Sequence, residues 1–288
     1  METITVKGKL TSFFKRNSGR LILFLIVIIT LIYVAVPIYE LVITSFKYQI
    51  DNLAIPKIIF PKRFSLENYL YVFNMANIRL HFYNSFITAS CASILCILIG
   101  TPAAFILVRA NFPLKLNYFL TFWILFTRMV PPVATMLPYF LIMRKLGLLD
   151  TRIALIISDT SFNLPFIIWL LMGLIKELPT ELEEAARIDG CSNFGVLTRI
   201  VTPLLIPGLV SAGTLVFIFS WNDFIYPLFL TSINAKTLAV VMPGFITDKG
   251  LLWGPMTALG GLMIIPVIIV ALTFQRYLVR GLTLGAIK

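Results

Sequence analysis

Residues 181–203 read ELEEAARIDGCSNFGVLTRIVTP, a charged stretch between two long apolar runs. Glu177, Glu181, Glu183, Glu184 and Asp189, five of the chain's 13 acidic residues, lie in it or beside it. A segment this polar faces water, because ionised side chains are costly in hydrocarbon. Pro179 keeps the preceding apolar run from continuing as helix, and Thr180-Glu181-Leu182-Glu183 fits a capping box. A short helix is therefore expected from 181 to about 188, its acids gathered where the helix dipole favours them, with Gly190 as its stop. Leu182, Ala185, Ala186 and Asp189 are expected to share one small, smooth face suited to another protein's cleft. Ser192 is placed to cap a second helix running to Thr202. The plainer reading is a loop helix lying on its own bundle.

The flanking runs set the fold class. About 20 apolar residues cross roughly 30 Å of hydrocarbon as a helix. By that length the chain holds six spans, at about 21–43, 82–108, 117–142, 153–175, 204–231 and 255–279. Closed β-barrels are excluded, since their strands are about 10 residues of alternating polarity. The expectation is an all-α polytopic membrane protein, 1–288 forming one transmembrane domain. The charged helix lies between the fourth and fifth spans, and residues 280–288 form a tail.

With 59% hydrophobic and 13% charged residues and a mean hydropathy of +0.93, the composition lies far from the soluble norm of about 25% charged. The net charge of +11 is scattered over the segments between apolar runs, as in loops near anionic headgroups, and forms no nucleic-acid patch. Cys91, Cys96 and Cys191 have no metal spacing and read as inert thiols. No G-x-x-x-x-G-K-[ST], G-x-G-x-x-G or H-E-x-x-H occurs, and His81 is the single histidine. Catalysis by this chain is not supported.

The run from Leu21 to Ile43 is longer than a signal-peptide h-region and lacks a cleavage site, so it spans and stays. Lys7, Lys9, Lys15, Arg16 and Arg20 precede it. The first helix usually dominates insertion, which places both termini and the 181–203 hairpin in the cytoplasm. In the long outer loop, Ser65 is positioned to start a short helix carrying Leu66, Tyr69, Leu70 and Phe73.

Within the spans, Ser85, Ala89, Ser93, Cys96 and Gly100 form a small-residue stripe that reads as helix packing. Pro131, Pro132 and Pro138 interrupt the third span. Pro203 and Pro207 bend the entry to the fifth, and Pro266 lies in the sixth. Such breaks are tolerated beside protein or cavities and favour a transporter over an anchor. Arg128, Asp159 and Asp223 are ionisable groups in or near spans. At 1.5 Å per residue, Asp159 lies about 9 Å into its span and Asp223 about 28 Å along its own, both toward the outer end. Asn163, Trp221, Asn222, Asp223 and Tyr226 combine an aromatic face, hydroxyl and amide groups. They are candidates to line a pathway for a polyhydroxylated solute, with helix–helix hydrogen bonding as the equal alternative.

Glu184-Ala185-Ala186, then Gly190, Ile200 and Pro203, resembles the EAA loop of ABC-importer permeases, E-A-A-x3-G-x9-I-x-L-P. Thr202 departs from that pattern, standing where it has Leu. Ser65-Leu66-Glu67-Asn68-Tyr69, Arg128-Met129-Val130-Pro131-Pro132, Gly147-Leu148-Leu149-Asp150-Thr151, Phe162-Asn163-Leu164-Pro165-Phe166 and Trp221-Asn222-Asp223-Phe224 are similar to signatures of its carbohydrate branch. The tail QRYLVRGLTLGAIK is similar to that of the maltose-type permeases. The resemblance implies a subunit of a binding-protein-dependent sugar importer in the inner membrane. Its implied partners are a cytoplasmic ATPase dimer that carries ATP and Mg, a homologous second permease and an external solute-binding protein. No cofactor is expected on this chain. ATP closure would move the EAA helix and rock the bundle. Glu184 would fix the helix in its cleft, Ala185 and Ala186 would form the contact face and Gly190 the turn. Asp189, Ile200 and Pro203 belong to the same coupling set. The alternatives are an ABC permease for a polyol or glycerol phosphate, an ion-coupled carrier using Asp159 and Asp223, and a non-transporting scaffold.

Overall fold

The computed structural model of the protein describes residues 3–61, 63–110, 112–248 and 250–283. Residues 284–288, the end of the expected tail, lie outside the described residues. The helices are α1 (Thr3–Ser45), α2 (Gln49–Asn52), α3 (Glu67–Phe73), α4 (Ile78–Arg109), α5 (Leu116–Met129), α6 (Pro132–Lys145) and α7 (Arg152–Glu177). They continue as α8 (Glu181–Ile188), α9 (Asn193–Val196), α10 (Thr202–Trp221), α11 (Ile225–Leu230), α12 (Leu238–Val241) and α13 (Trp253–Thr283). Among the described residues, five helices are long and apolar enough to cross a membrane. The pair α5 and α6, bent by 93°, makes a sixth if taken as one span.

The chain divides into two compact units, Met1–Val72 with Gly250–Gly261, and Phe73–Lys249 with Leu262–Lys288. In the first, the end of α1 is fastened to the loop that follows it. Asn68 Nδ2 donates to the carbonyls of Ser45 and Lys47 at 2.9 and 2.7 Å. The Ser45 hydroxyl meets Tyr69 Oη at 2.9 Å, and Phe46 packs on the rings of Phe64 and Tyr69. Ser65 Oγ accepts from the Glu67 N–H at 3.1 Å, so α3 starts where the sequence places a helix.

The second unit is organised on α4, α7 and α10. The small-residue stripe of α4 is its packing face, with Ser85, Ala89, Ser93, Cys96 and Gly100 all buried. A Cβ on Gly100 would lie 2.5 Å from Ile167 Cγ2 of α7, and one on Gly213 of α10 2.6 Å from Ile97 Cδ1. The approach of α4 to α10 is close enough for Ser93 Oγ to donate to the Gly213 carbonyl at 2.7 Å. Without a hydrophobic force between helices in lipid, such contact is what holds them together.

Two expected spans are broken. The third bends at Pro131-Pro132, because the residue before a proline is pushed to extended backbone, and Pro131 takes φ −60°, ψ 139°. Pro138 sits inside α6. The fifth, read as 204–231, ends its helix at Trp221 and resumes as α11 after Asn222–Phe224. Asp223 Oδ1 accepts the Ile225 N–H at 3.2 Å, the local side-chain bond by which aspartate competes with helix.

The second hairpin helix also differs from expectation. It does not stop at Thr202: α9 passes through a π turn, Leu197–Val201, into α10, giving one helical run from Asn193 to Trp221. Pro203 lies in the first turn of α10, and the wider turn before it absorbs its missing N–H and the clash of its ring.

Candidate functional site

Helix α8 carries the charged segment, and its seating depends on two residues absent from the sequence-derived site. Thr180 makes no side-chain cap, so the expected capping box does not form. Glu183 turns inward instead, and its Oε1 accepts from Arg109 Nε at 2.8 Å. Arg109 Nη2 donates to the carbonyls of Ile175 and Leu178 at 2.9 and 3.0 Å. Those carbonyls lie at the end of α7, that of Ile175 also taking the Leu178 N–H, so one guanidinium joins the last turn of α4, the end of α7 and α8. The side chains of Arg109 and Glu183 are 13% and 3% exposed. A charge-assisted bond in that setting outweighs a capping bond that water could replace.

The helical phase of α8 corrects the expected docking face. Ala186 is 7% exposed and packs in the same buried cluster as Ala104, Leu107, Leu171 and Ile175, so it supports α8 from within. Leu182, Ala185, Ile188 and Asp189 point outward, as does Glu184, and Ile188 is 85% exposed. Phe194, across the turn, is exposed as well. Gly190 takes φ +86°, with its N–H on the Arg187 carbonyl and the Cys191 N–H on that of Ala186, a Schellman end that a left-handed glycine makes possible. Ser192 Oγ accepts from the Gly195 N–H at 3.2 Å and starts α9. Ile200 packs against the common core.

The polar residues proposed to line a pathway divide in two. Asn163 is buried; its Nδ2 donates to the Asp159 carbonyl and to Ser220 Oγ, and its Oδ1 accepts from Arg128 Nη1. Arg128, one residue before the end of α5, also donates to the Phe162 carbonyl at 2.6 Å and lies 4.0 Å over that ring, fastening the broken span to α7. Trp221 is 1% exposed, donates Nε1–H to the Met263 carbonyl at 3.0 Å and stacks on Phe217. Tyr226 is equally enclosed, with its hydroxyl 2.8 Å from Thr135 Oγ1. Asn163, Trp221 and Tyr226 are thus joints between helices of this chain. Asn222 is exposed, and Asp223 is half-buried.

The second unit is a helical membrane bundle with a charged hairpin locked to its core. Residues 97–284 match the family model described as the binding-protein-dependent transport system inner membrane component. The chain belongs to this family. It is 34% identical over 289 residues, all of both chains, to a sulfoquinovosyl glycerol transport system permease of Agrobacterium fabrum. It is 33% identical over 273 residues, 93% of this chain and 97% of the other, to a trehalose/maltose transport system permease of Thermococcus litoralis. Its fold is that of a chain in a bacterial ABC transporter that imports the polysaccharide alginate, with a TM-score of 0.73 and 23% identity over 91% of this chain and 96% of that one.

In this permease, the turn between α6 and α7 holds a latch that the signature Gly147–Thr151 contains but does not explain. Asp150, at φ +56°, accepts the backbone N–H groups of Ser232, Ile233, Asn234 and Ala235 and the Asn234 side-chain amide. His81, Asn84 and Ser85 of α4 bind the same loop through its backbone at Asn234, Lys236 and Leu238. Burial raises the Asp150 carboxyl, but the four N–H groups outweigh it and hold the group well below the usual carboxylate range. A depressed value stabilises the fold above the unfolded value of about 3.9, and that stabilisation is lost progressively as pH falls below it. Asp150→Asn is therefore expected to weaken the loop by about 2 kcal/mol at neutral pH. Limited proteolysis at 231–237 should show faster cleavage of the variant at pH 7, the difference narrowing as the pH is taken below about 4.

Proposed function

We propose that this chain is one permease subunit of an ATP-driven, binding-protein-dependent importer of sugars or related polyhydroxylated solutes. Both termini and the 181–203 hairpin lie in the cytoplasm, where a separate ATPase dimer, bearing ATP and Mg, receives α8. A second permease, homologous or another copy, completes the pathway, and an external binding protein delivers the solute. The observation that carries this reading is the outward face of α8. Leu182, Ala185, Ile188 and Asp189 are left uncovered while the opposite face is fixed by charge and packing to α4 and α7. An apolar knob such as Ile188 on a rigidly mounted acidic helix suits insertion into a partner's cleft. The sugar class rests on the solutes named for the two relatives. Asn222 and Asp223 are the remaining pathway candidates.

Ile188→Asp and Ala185→Asp place a charge on the docking face while leaving Ala186 in the core. Each is expected to strip the ATPase from the purified complex and to reduce ATP-driven uptake about a hundredfold, in line with losing a buried anchor worth about 3 kcal/mol. Undiminished co-purification and uptake in both variants would falsify the docking role. Solute uptake by this chain alone in ATP-free vesicles would instead establish an ion-coupled carrier.

A further inference from the structure

A groove opens between α5 and α7 on the side of the membrane where the charged hairpin lies. Its mouth is a cavity of about 490 Å³ bordered by Arg109, Asn117, Tyr118 and Lys176. A second cavity of about 260 Å³ shares Thr121, Leu125, Met172 and Lys176 with the first and continues past Trp169 and Gly173. From Asn117 to Leu125 the groove follows α5 for about 12 Å at 1.5 Å per residue. A Cβ placed on Gly173 would meet nothing within 4 Å, so the channel is open at that level.

The chemistry changes along its length. Lys176 is exposed and makes no ion pair among the described residues, while the charge of Arg109 is met by Glu183. Asn117 and Tyr118 add an amide and a phenol to the first cavity, and beyond them the walls are apolar except for Thr121, whose hydroxyl donates to the Asn117 carbonyl. A water-borne solute would have to lie in a slot flanked by hydrocarbon. A lipid would place its phosphate against Lys176 and its acyl chain along Leu125, Trp169 and Gly173. Lysine reaching to the membrane surface with its stem on apolar walls is the usual posture for such a contact.

We propose that this groove binds an anionic phospholipid of the hairpin-side leaflet. The site depends on the membrane bundle and not on which solute is carried. Through Arg109 and Lys176 the headgroup would lie beside the α4–α7–α8 junction, so the lipid would steady the hairpin's mount.

The assembled transporter, purified in mild detergent, would be exchanged into nanodiscs of phosphatidylcholine with or without phosphatidylglycerol and weighed by native mass spectrometry. Retained phosphatidylglycerol, with occupancy about fivefold lower in Lys176→Gln, is the expected result, one near-surface lysine being worth that factor. Gly173→Leu, which fills the channel without touching charge, should displace the lipid too. Equal retention of both lipids, or unchanged occupancy in both variants, overturns the proposal. So does a crosslink from Leu125→Cys to the second permease, since that chain would then fill the groove.

Discussion

Glu183→Ala is expected to release the hairpin from the bundle while leaving the helices inserted. The substitution removes the carboxylate that neutralises Arg109, whose side chain is largely enclosed and holds the carbonyls of Ile175 and Leu178. Breaking one side of an enclosed ion pair costs about 3–5 kcal/mol, and the residual exposure of Arg109 places this case at about 3. The expected signature is faster hydrogen exchange over 181–190 together with ATP hydrolysis that no longer tracks uptake. Glu183→Gln, which keeps a hydrogen-bond acceptor, should fall between the variant and the parent. A loss of yield with an unchanged ratio of ATP consumed to solute moved would reduce the pair to a packing role.

Gly213→Leu should be strongly damaging in the bundle interior. Even the first carbon of the new side chain would lie 2.6 Å from Ile97 Cδ1 and 3.3 Å from Ser93 Oγ. The leucine must push α4 from α10 and break the bond between Ser93 and the Gly213 carbonyl. Overpacking of this kind costs about 1–3 kcal/mol, to which the lost hydrogen bond adds about 1. Thermal denaturation of the purified complex should show the loss. Gly213→Ala should do less harm and Gly173→Ala almost none, because Gly173 has open space beside it. If Gly213→Leu matched the parent, α4 and α10 would not pack as described.

The membrane class was legible because hydrocarbon leaves a chain few choices: a run of about 20 apolar residues has to be helical. Pro131-Pro132 announced a break for the same local reason, but the 93° bend depends on what α6 packs against. The small residues of α4 identified a packing face, whereas their partners on α7 and α10 follow only from the fold. On α8 the sequence supported a helix face of Leu182, Ala185, Ala186 and Asp189, yet could not tell which edge turns inward. Burial of Glu183 and Ala186, three positions apart, rotates that face toward Ile188. Glu183 was misassigned because a local rule offered the backbone as its partner, and the true partner, Arg109, is 74 residues away. The signal was an arginine at the end of an apolar span with no neighbouring acid. Trp221 and Tyr226 show the converse: aromatic rings beside polar groups look alike whether they face a solute or another helix.

The unbroken helix from Asn193 to Trp221 has a mechanical consequence. Its 29 residues extend about 43 Å, so it behaves as a lever arm whose short end is the hairpin and whose long end carries Asn222 and Asp223. A tilt of about 5° at the inner end swings the outer end by about 4 Å, a distance comparable with one helical turn. Thus a tilt too small to repack the hairpin is enough to carry Asn222 and Asp223 through several ångströms.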